Sequence, residues 1–107
     1  MISIVLADDH PLTRAGLAAL INEEEGLNLL GEASDGKQAW EMIEKLRPDV
    51  ALLDIRMPGL DGIAIARKVK EAGIPTASLM LTSYDANQYV MAALRAGARG
   101  YVLKTAT

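Results

Sequence analysis

The 107-residue sequence contains no cysteine and no phenylalanine, one histidine and one tryptophan. Without cysteine there can be no disulfide and no thiol catalysis, a usage that agrees with a reducing cytosol. Aromatic residues make up 4% of the chain although half of it is apolar, so the core has to be assembled from Leu, Ile, Val, Ala and Met. No apolar run reaches the ~18 residues of a membrane span, and the first, Ile4–Ala7, stops at two aspartates. Positive charge is in deficit: 11 Lys and Arg stand against 14 Asp and Glu, for a net charge of −3 and a pI near 5.0. A nucleic-acid surface would need a basic patch or stripe, which this balance does not supply. Repeats, low-complexity tracts and linkers are lacking as well. What these absences leave is one soluble, cytoplasmic domain with a single core.

What is present is an alternation of short apolar runs and amphipathic stretches. Ile2–Ala7 reads as a buried strand ended by Asp8 and Asp9. Pro11 opens a helix in which Leu12, Gly16, Leu17, Leu20 and Ile21 recur at helical spacing, and Gly26 stops it. Leu27–Ala33 is a second strand. Asp35 caps a helix through Leu46, with Ala39, Trp40, Ile43 and Leu46 on one face. Asp49–Leu53 is the third strand, Gly62–Ala72 a helix with Ile65, Ala66, Val69 and Ala72 inward, and Pro75–Thr82 the fourth strand. Asp85–Ala96 is the fourth helix, with Val90, Ala93, Leu94 and Gly97 inward, and Gly100–Leu103 the fifth strand, ended by Lys104. Strands alternating with helices of this length build right-handed βαβ units on a parallel sheet. Five strands with four helices leave one face short of cover, so a fifth helix is expected to follow, or a second copy to take its place as a homodimer.

The stretch Val50–Gly62 is the centre of this arrangement. Four buried apolar residues end on an acid, Asp54, followed by a loop carrying Pro58, Gly59 and Gly62. Open α/β sheets build their sites at the C-terminal ends of such strands. In a parallel sheet that edge also collects Asp8 and Asp9, Thr82 and Ser83, and Lys104. Two carboxylates ~4 Å apart repel by about 4 kcal/mol at an effective dielectric near 20, so the cluster calls for a cation. Mg²⁺, a hard ion held by one or two carboxylates, waters and a phosphate, is the natural choice. Phosphoryl transfer needs this arrangement of charge neutralisation and positioning. Asp54 is then the nucleophile and phosphoacceptor, Asp9 and Asp8 hold Mg²⁺, Lys104 pairs with the phosphoryl oxygens, and the Thr82 hydroxyl donates to one of them.

Taken together, Asp8-Asp9, the run Asp54-Ile55-Arg56-Met57-Pro58-Gly59-Leu60-Asp61-Gly62, Thr82-Ser83 and Gly100-Tyr101-Val102-Leu103-Lys104 resemble the receiver domain of two-component response regulators. The run from Asp8 to Leu17 further resembles the NarL/FixJ (LuxR-type) class, whose receivers precede a helix-turn-helix DNA-binding domain. The resemblance covers essentially the whole chain. It implies a flavodoxin-like doubly wound sheet of order 2-1-3-4-5, lacking its last helix here, as residues 1–107 of a longer protein. It also implies phosphorylation of Asp54 by a sensor histidine kinase, and Mg²⁺ at Asp8, Asp9, Asp54 and the backbone carbonyl of Arg56. Thr82 and Tyr101 would be a switch pair acting on a readout surface of the fourth helix and fifth strand, with Gln88, Met91 and Arg95 exposed. The output would be transcription regulation, with DNA reached only through a domain outside this chain.

Blander readings stand beside these. Asp8 and Asp9 could simply cap the first helix, and Asp61 reads as an N-cap. His10 reads as a loop residue facing a partner, since Mg²⁺ prefers oxygen. Trp40 reads as core-lining. The competing function is a Mg²⁺-dependent aspartyl-phosphate phosphohydrolase, an enzyme rather than a signalling module. A nucleotide-binding domain would want a glycine-rich loop after the first strand, where Asp8–Pro11 stands instead.

Overall fold

A computed structural model describes residues 1–82 and 89–103 of the chain. In chain order they form β1 (Ile2–Ala7), α1 (Pro11–Glu23), β2 (Leu27–Ala33), α2 (Gly36–Leu46), β3 (Val50–Asp54), α3 (Gly62–Glu71), β4 (Ala77–Thr82), α4 (Val90–Ala96) and β5 (Gly100–Leu103). The five strands make one sheet in the order β2-β1-β3-β4-β5, and every adjacent pair is parallel. Every strand's C-terminal end therefore lies on the same edge.

Side chains alternate between the two faces of the sheet. Ile4 and Leu6 of β1 and Leu81 of β4 pack with Ala18 and Ile21 of α1, and Val50 and Leu52 lean on that cluster. Ala51 and Leu53 of β3 and Met80 of β4 point the other way, into a larger core with Ala39 and Ile43 of α2, Ile65, Ala66 and Val69 of α3, and Ala93 of α4. The faces are unequally covered. Ala51, Leu53 and Met80 are fully buried, whereas Val50, Leu52 and Leu79 are only partly so. Among the described residues α1 is alone on its side, which is the shortfall that counting strands against helices anticipates.

The helix ends follow local chemistry. Asp35 accepts from the Gln38 N–H at 2.8 Å, and Gln38 Oε1 in turn accepts from the Ser34 N–H at 3.0 Å, a capping arrangement in both directions. Asp61 caps α3 by accepting from the Ala64 N–H at 2.8 Å, as read from sequence. Some inward assignments differ. Leu12 and Leu20 are exposed because the buried line of α1 runs through Leu17, Ala18 and Ile21. Leu46 and Ala72 lie at or just past the last turns of α2 and α3 and face solvent. In α4 the inward pair is Ala93 and Ala96, and Leu94 is exposed. Trp40 is partly buried at the core margin, with the Lys68 ammonium 5.4 Å from its ring centre. The first part of the expected fourth helix, residues 85–88, lies outside the described residues.

Two features sit away from the C-terminal edge. The register between β1 and β2 slips at Ile4/Val5, so that Leu30 is an extra residue in the edge strand, a β-bulge. At the opposite end of the sheet, the Asp49 carboxylate accepts from the Ser3 N–H at 2.9 Å and from its hydroxyl at 3.0 Å. The Asp49 N–H in turn donates to Ser3 Oγ at 2.8 Å. The Ser3 backbone donor, then its hydroxyl, hold the Asp49 carboxyl below the ordinary carboxylate range. A carboxyl with a lowered folded-state pKa adds stability that is present above its unfolded pKa and is lost as pH falls through the folded value. Asp49→Ala should therefore lower the urea midpoint at neutral pH, and its gap to wild type should narrow as pH falls below the ordinary carboxylate range. A gap independent of pH would show that the clamp does not act through the charge.

Candidate functional site

The acidic edge is built by register. Ala7 pairs with Leu53 across β1 and β3, so Asp8, the next residue, stands beside Asp54, the last residue of β3. Asp54 pairs with Leu81, and Thr82 follows one strand over, paired with Leu103. Asp8, Asp54 and Thr82 are all buried, while Asp9 keeps 30% of its side chain exposed. β5 runs parallel to β4, so its C-terminal end is on this edge too; Lys104 itself, with Ser83 and Tyr84, lies outside the described residues. Tyr101 is half exposed, one strand away from Met80.

Each buried acid is fixed by an amide two residues on. Asp8 Oδ1 accepts from the His10 N–H at 2.9 Å, and Asp54 Oδ1 from the Arg56 N–H at 3.3 Å, both Asx turns. Arg14, in the first turns of α1, donates from Nη1 to the Asp8 carbonyl at 2.7 Å, with Nε 3.5 Å from Glu32 Oε1. This arginine ties together β1, α1 and β2 beneath the acids. In the sequence it is a basic residue six positions after Asp8, indistinguishable there from a solvated arginine. The bland reading of the two acids as helix caps does not fit: the N-cap of α1 is His10, without a side-chain cap bond among the described residues.

The loop after Asp54 is clamped from three sides. Ile55 and Met57 are buried on either side of exposed Arg56. The Gly36 N–H donates to the Pro58 carbonyl at 3.3 Å, and the Gly62 N–H to the Ile55 carbonyl at 3.1 Å. Both helix starts must be glycine. A Cβ at Gly62 would lie 2.4 Å from the Asp54 carbonyl oxygen, and one at Gly36 1.8 Å from that of Leu60. Arg56 reaches across to α4, its guanidinium 5.1 Å from the ring centre of Tyr89, a contact of the order of 0.5–1 kcal/mol at an exposed site.

The electrostatics of this edge suit a cation. Ligand atoms of Asp8, Asp9, His10 and Asp54 all lie within 4.8 Å of one another. At such separations each pair of ionised carboxylates repels by ~3–4 kcal/mol at an effective dielectric near 20. Asp9 Oδ1 is enclosed and accepts no hydrogen bond from the described residues. An oxygen-rich set of this kind fits Mg²⁺. His10, read from sequence as facing a partner, instead turns Nδ1 into the cluster, 3.1 Å from Asp8 Oδ1 and 3.1 Å from Asp9 Oδ1.

The family model "Response regulator receiver domain" matches residues 4–107. The chain belongs to this family. It is 42% identical over 106 residues to "Probable transcriptional regulatory protein NarL" of Mycobacterium tuberculosis, covering 99% of this chain and 49% of that protein. It is 38% identical to "Oxygen regulatory protein NreC" of Staphylococcus haemolyticus, over 96% of this chain and 48% of that one. Among solved structures, the signal receiver domain of NarL from M. tuberculosis matches with a TM-score of 0.94 and 42% identity, over 99% of this chain and 86% of the other. A LuxR-family DNA-binding response regulator from Staphylococcus aureus matches with a TM-score of 0.92 and 25% identity, over 100% and 89%. The flavodoxin-like receiver fold and the NarL/LuxR class read from the sequence are thus both found. The receiver spans about half the length of the curated relatives it matches, and no helix of its described residues is long and apolar enough to cross a membrane.

The tight approach at the site loop gives a contrast between two glycines of this receiver. Gly62→Ala should destabilise by ~1–3 kcal/mol, because the methyl meets backbone that cannot yield. Gly16→Ala, on the exposed face of α1 with nothing within 4 Å, should stabilise by about 0.5–1 kcal/mol. Urea unfolding of the two variants measures the difference; equal midpoints would mean that the loop is not held where it is described.

Proposed function

We propose that Asp54 of this receiver accepts a phosphoryl group from a sensor histidine kinase and that the modified domain signals to an output outside these residues. The observation that carries the reading is the position of Asp54: a buried carboxylate at the end of a central strand, gathered with Asp8 and Asp9 at one edge. One Asp54 carboxylate oxygen attacks phosphorus, the bond from phosphorus to the donor's imidazole nitrogen breaks, and that nitrogen keeps the bonding pair. The product is an acyl phosphate. Asp8, Asp9, Asp54 and the carbonyl of Arg56 would hold Mg²⁺, which would supply charge neutralisation for the phosphoryl oxygens. The protein's part is positional. The amides of His10 and Arg56 orient the two buried acids, Arg14 holds the loop that carries Asp8 and Asp9, and the Thr82 hydroxyl and Lys104 ammonium donate to phosphoryl oxygens.

The chain is a stoichiometric acceptor in this reading, not a turnover enzyme. A phosphoryl group brings about −1.5 to −2 charges and three acceptor oxygens, enough to draw a hydroxyl such as that of Thr82. Tyr101, half exposed, then turns inward beside Ala98 and Gly100. The surface of α4 and β5, where Met91, Leu94 and Val102 are exposed, carries the change outward. Transcription regulation is the output, through a DNA-binding domain following residues 1–107, with a fifth helix or a second copy covering the open side of the sheet. The setting is cytoplasmic.

Incubation with acetyl phosphate and Mg²⁺, followed by intact mass, should show one added phosphoryl group. The adduct should be lost in Asp54→Asn and on chelation of the metal. Labelling that persists in Asp54→Asn would overturn the assignment, and steady phosphomonoester turnover at ~1 s⁻¹ or more would favour the hydrolase. Arg14→Ala should weaken Mg²⁺ binding about tenfold by loosening the loop behind Asp8; calorimetric affinities equal to wild type would remove Arg14 from the site.

A further inference from the structure

Asp8 is gripped on both sides of its backbone by the edge strand β2. Its N–H donates to the Ala33 carbonyl at 3.0 Å. Its own carbonyl accepts from Arg14 Nη1 at 2.7 Å, and Arg14 Nε lies 3.5 Å from Glu32 Oε1. Two consecutive β2 residues thus bear on one site acid, Ala33 directly and Glu32 through Arg14. The second link depends on the face of the sheet that Glu32 presents, which is not the face its place in a regular strand would give.

Leu27 and Leu29 pack with the core cluster under α1, so an unbroken strand would send Gly31 and Ala33 to that side and Glu32 toward α2. The extra residue at Leu30 shifts the register by one and exchanges the faces. Beyond it Glu32 pairs with Leu6, which packs under α1. Ala33 pairs with Ala7, and both join the core on the side of α2. Gly31 faces α2 as well, where a Cβ would lie 3.2 Å from Met42 Sδ. Arg14 keeps 23% of its side chain exposed and Glu32 42%, so the pair itself adds little to folding stability. Its effect is on direction: the guanidinium is a planar fork, and a carboxylate on the Nε side keeps Nη1 aimed at the Asp8 carbonyl.

We infer that Glu32 is a positioning residue for the acidic edge. Turned to the α1 face by the bulge, it holds the Arg14 guanidinium on the Asp8 carbonyl and so sets the place of the loop that carries Asp8 and Asp9. This role rests on that edge holding Mg²⁺ for phosphoryl transfer to Asp54, as proposed above. It adds that β2, which contributes none of the site's own groups, governs how well the acids are arranged for the ion. The bulge is then a device for aiming one side chain, not an irregularity of the edge.

Glu32→Gln keeps the length of the side chain and removes its charge. Calorimetric titration with Mg²⁺ should show an affinity about threefold below wild type, a smaller loss than that of Arg14→Ala. In an Arg14→Ala background the same substitution should cost nothing further, because its route to Asp8 is already gone. Amide exchange of the metal-free protein gives a reading independent of ion binding. The His10 N–H, which donates to Asp8 Oδ1 at 2.9 Å, should exchange about threefold faster in Glu32→Gln as the loop loosens. Unchanged Mg²⁺ affinity, with or without faster exchange, would remove Glu32 from the site while leaving the acids standing. A loss of affinity without faster exchange, or an equal loss in both backgrounds, would make the effect one of charge at a distance, which also overturns the positioning role. Wild type binding no Mg²⁺ would sink the acid site itself and this role with it.

Discussion

Mutual repulsion among carboxylates that the backbone does not allow to separate is the constraint from which the rest of this structure follows. Asp8 and Asp54 cannot move apart without breaking the pairing of β1 with β3, and both are buried. Water screens them poorly there, so the arrangement favours positive charge at this edge. Neighbouring features read as means of keeping the acids in place under that load. The amides of His10 and Arg56 each hold one carboxylate oxygen, and Arg14 holds the carbonyl behind Asp8. The glycines at the starts of α2 and α3 let the Asp54 loop pack with backbone against backbone.

The same loop connects the edge to the outer surface. Ile55 and Met57 are seated in the core, but Arg56 between them is exposed and lies over Tyr89 at the start of α4. The loop after Asp54 is thus linked to the start of α3 through its backbone and to the start of α4 through the Arg56 side chain. The sheet itself is stiff here, with the core on the side of α2, α3 and α4 fully buried.

Much of this was legible from residue order alone. An apolar strand that ends on an acid, repeated with acids or hydroxyls at the ends of others, specifies a parallel sheet with a polar edge, because each run is too short and too apolar for anything else. Asp35 and Asp61 were readable as caps since a cap is a local bond. Leu12, Leu20 and Leu94 were misplaced because helical spacing fixes which residues share a face but not which stripe a neighbouring sheet covers. Arg14 and the direction of His10 were hidden for a different reason: each acts across loops from separate strands, and no periodicity encodes that. The need for glycine at 36 and 62 likewise depends on how closely two segments pass.

The bulge at Leu30 has a bearing on how such domains behave when several are held close. β2 is the free edge of the sheet beside β1, and an unbroken edge would present a ladder of amides and carbonyls to any strand alongside. The extra residue puts that ladder out of phase halfway along. Two copies brought together by a shared partner cannot zip their sheets into one continuous ribbon through this side, so crowding leaves each sheet a separate unit.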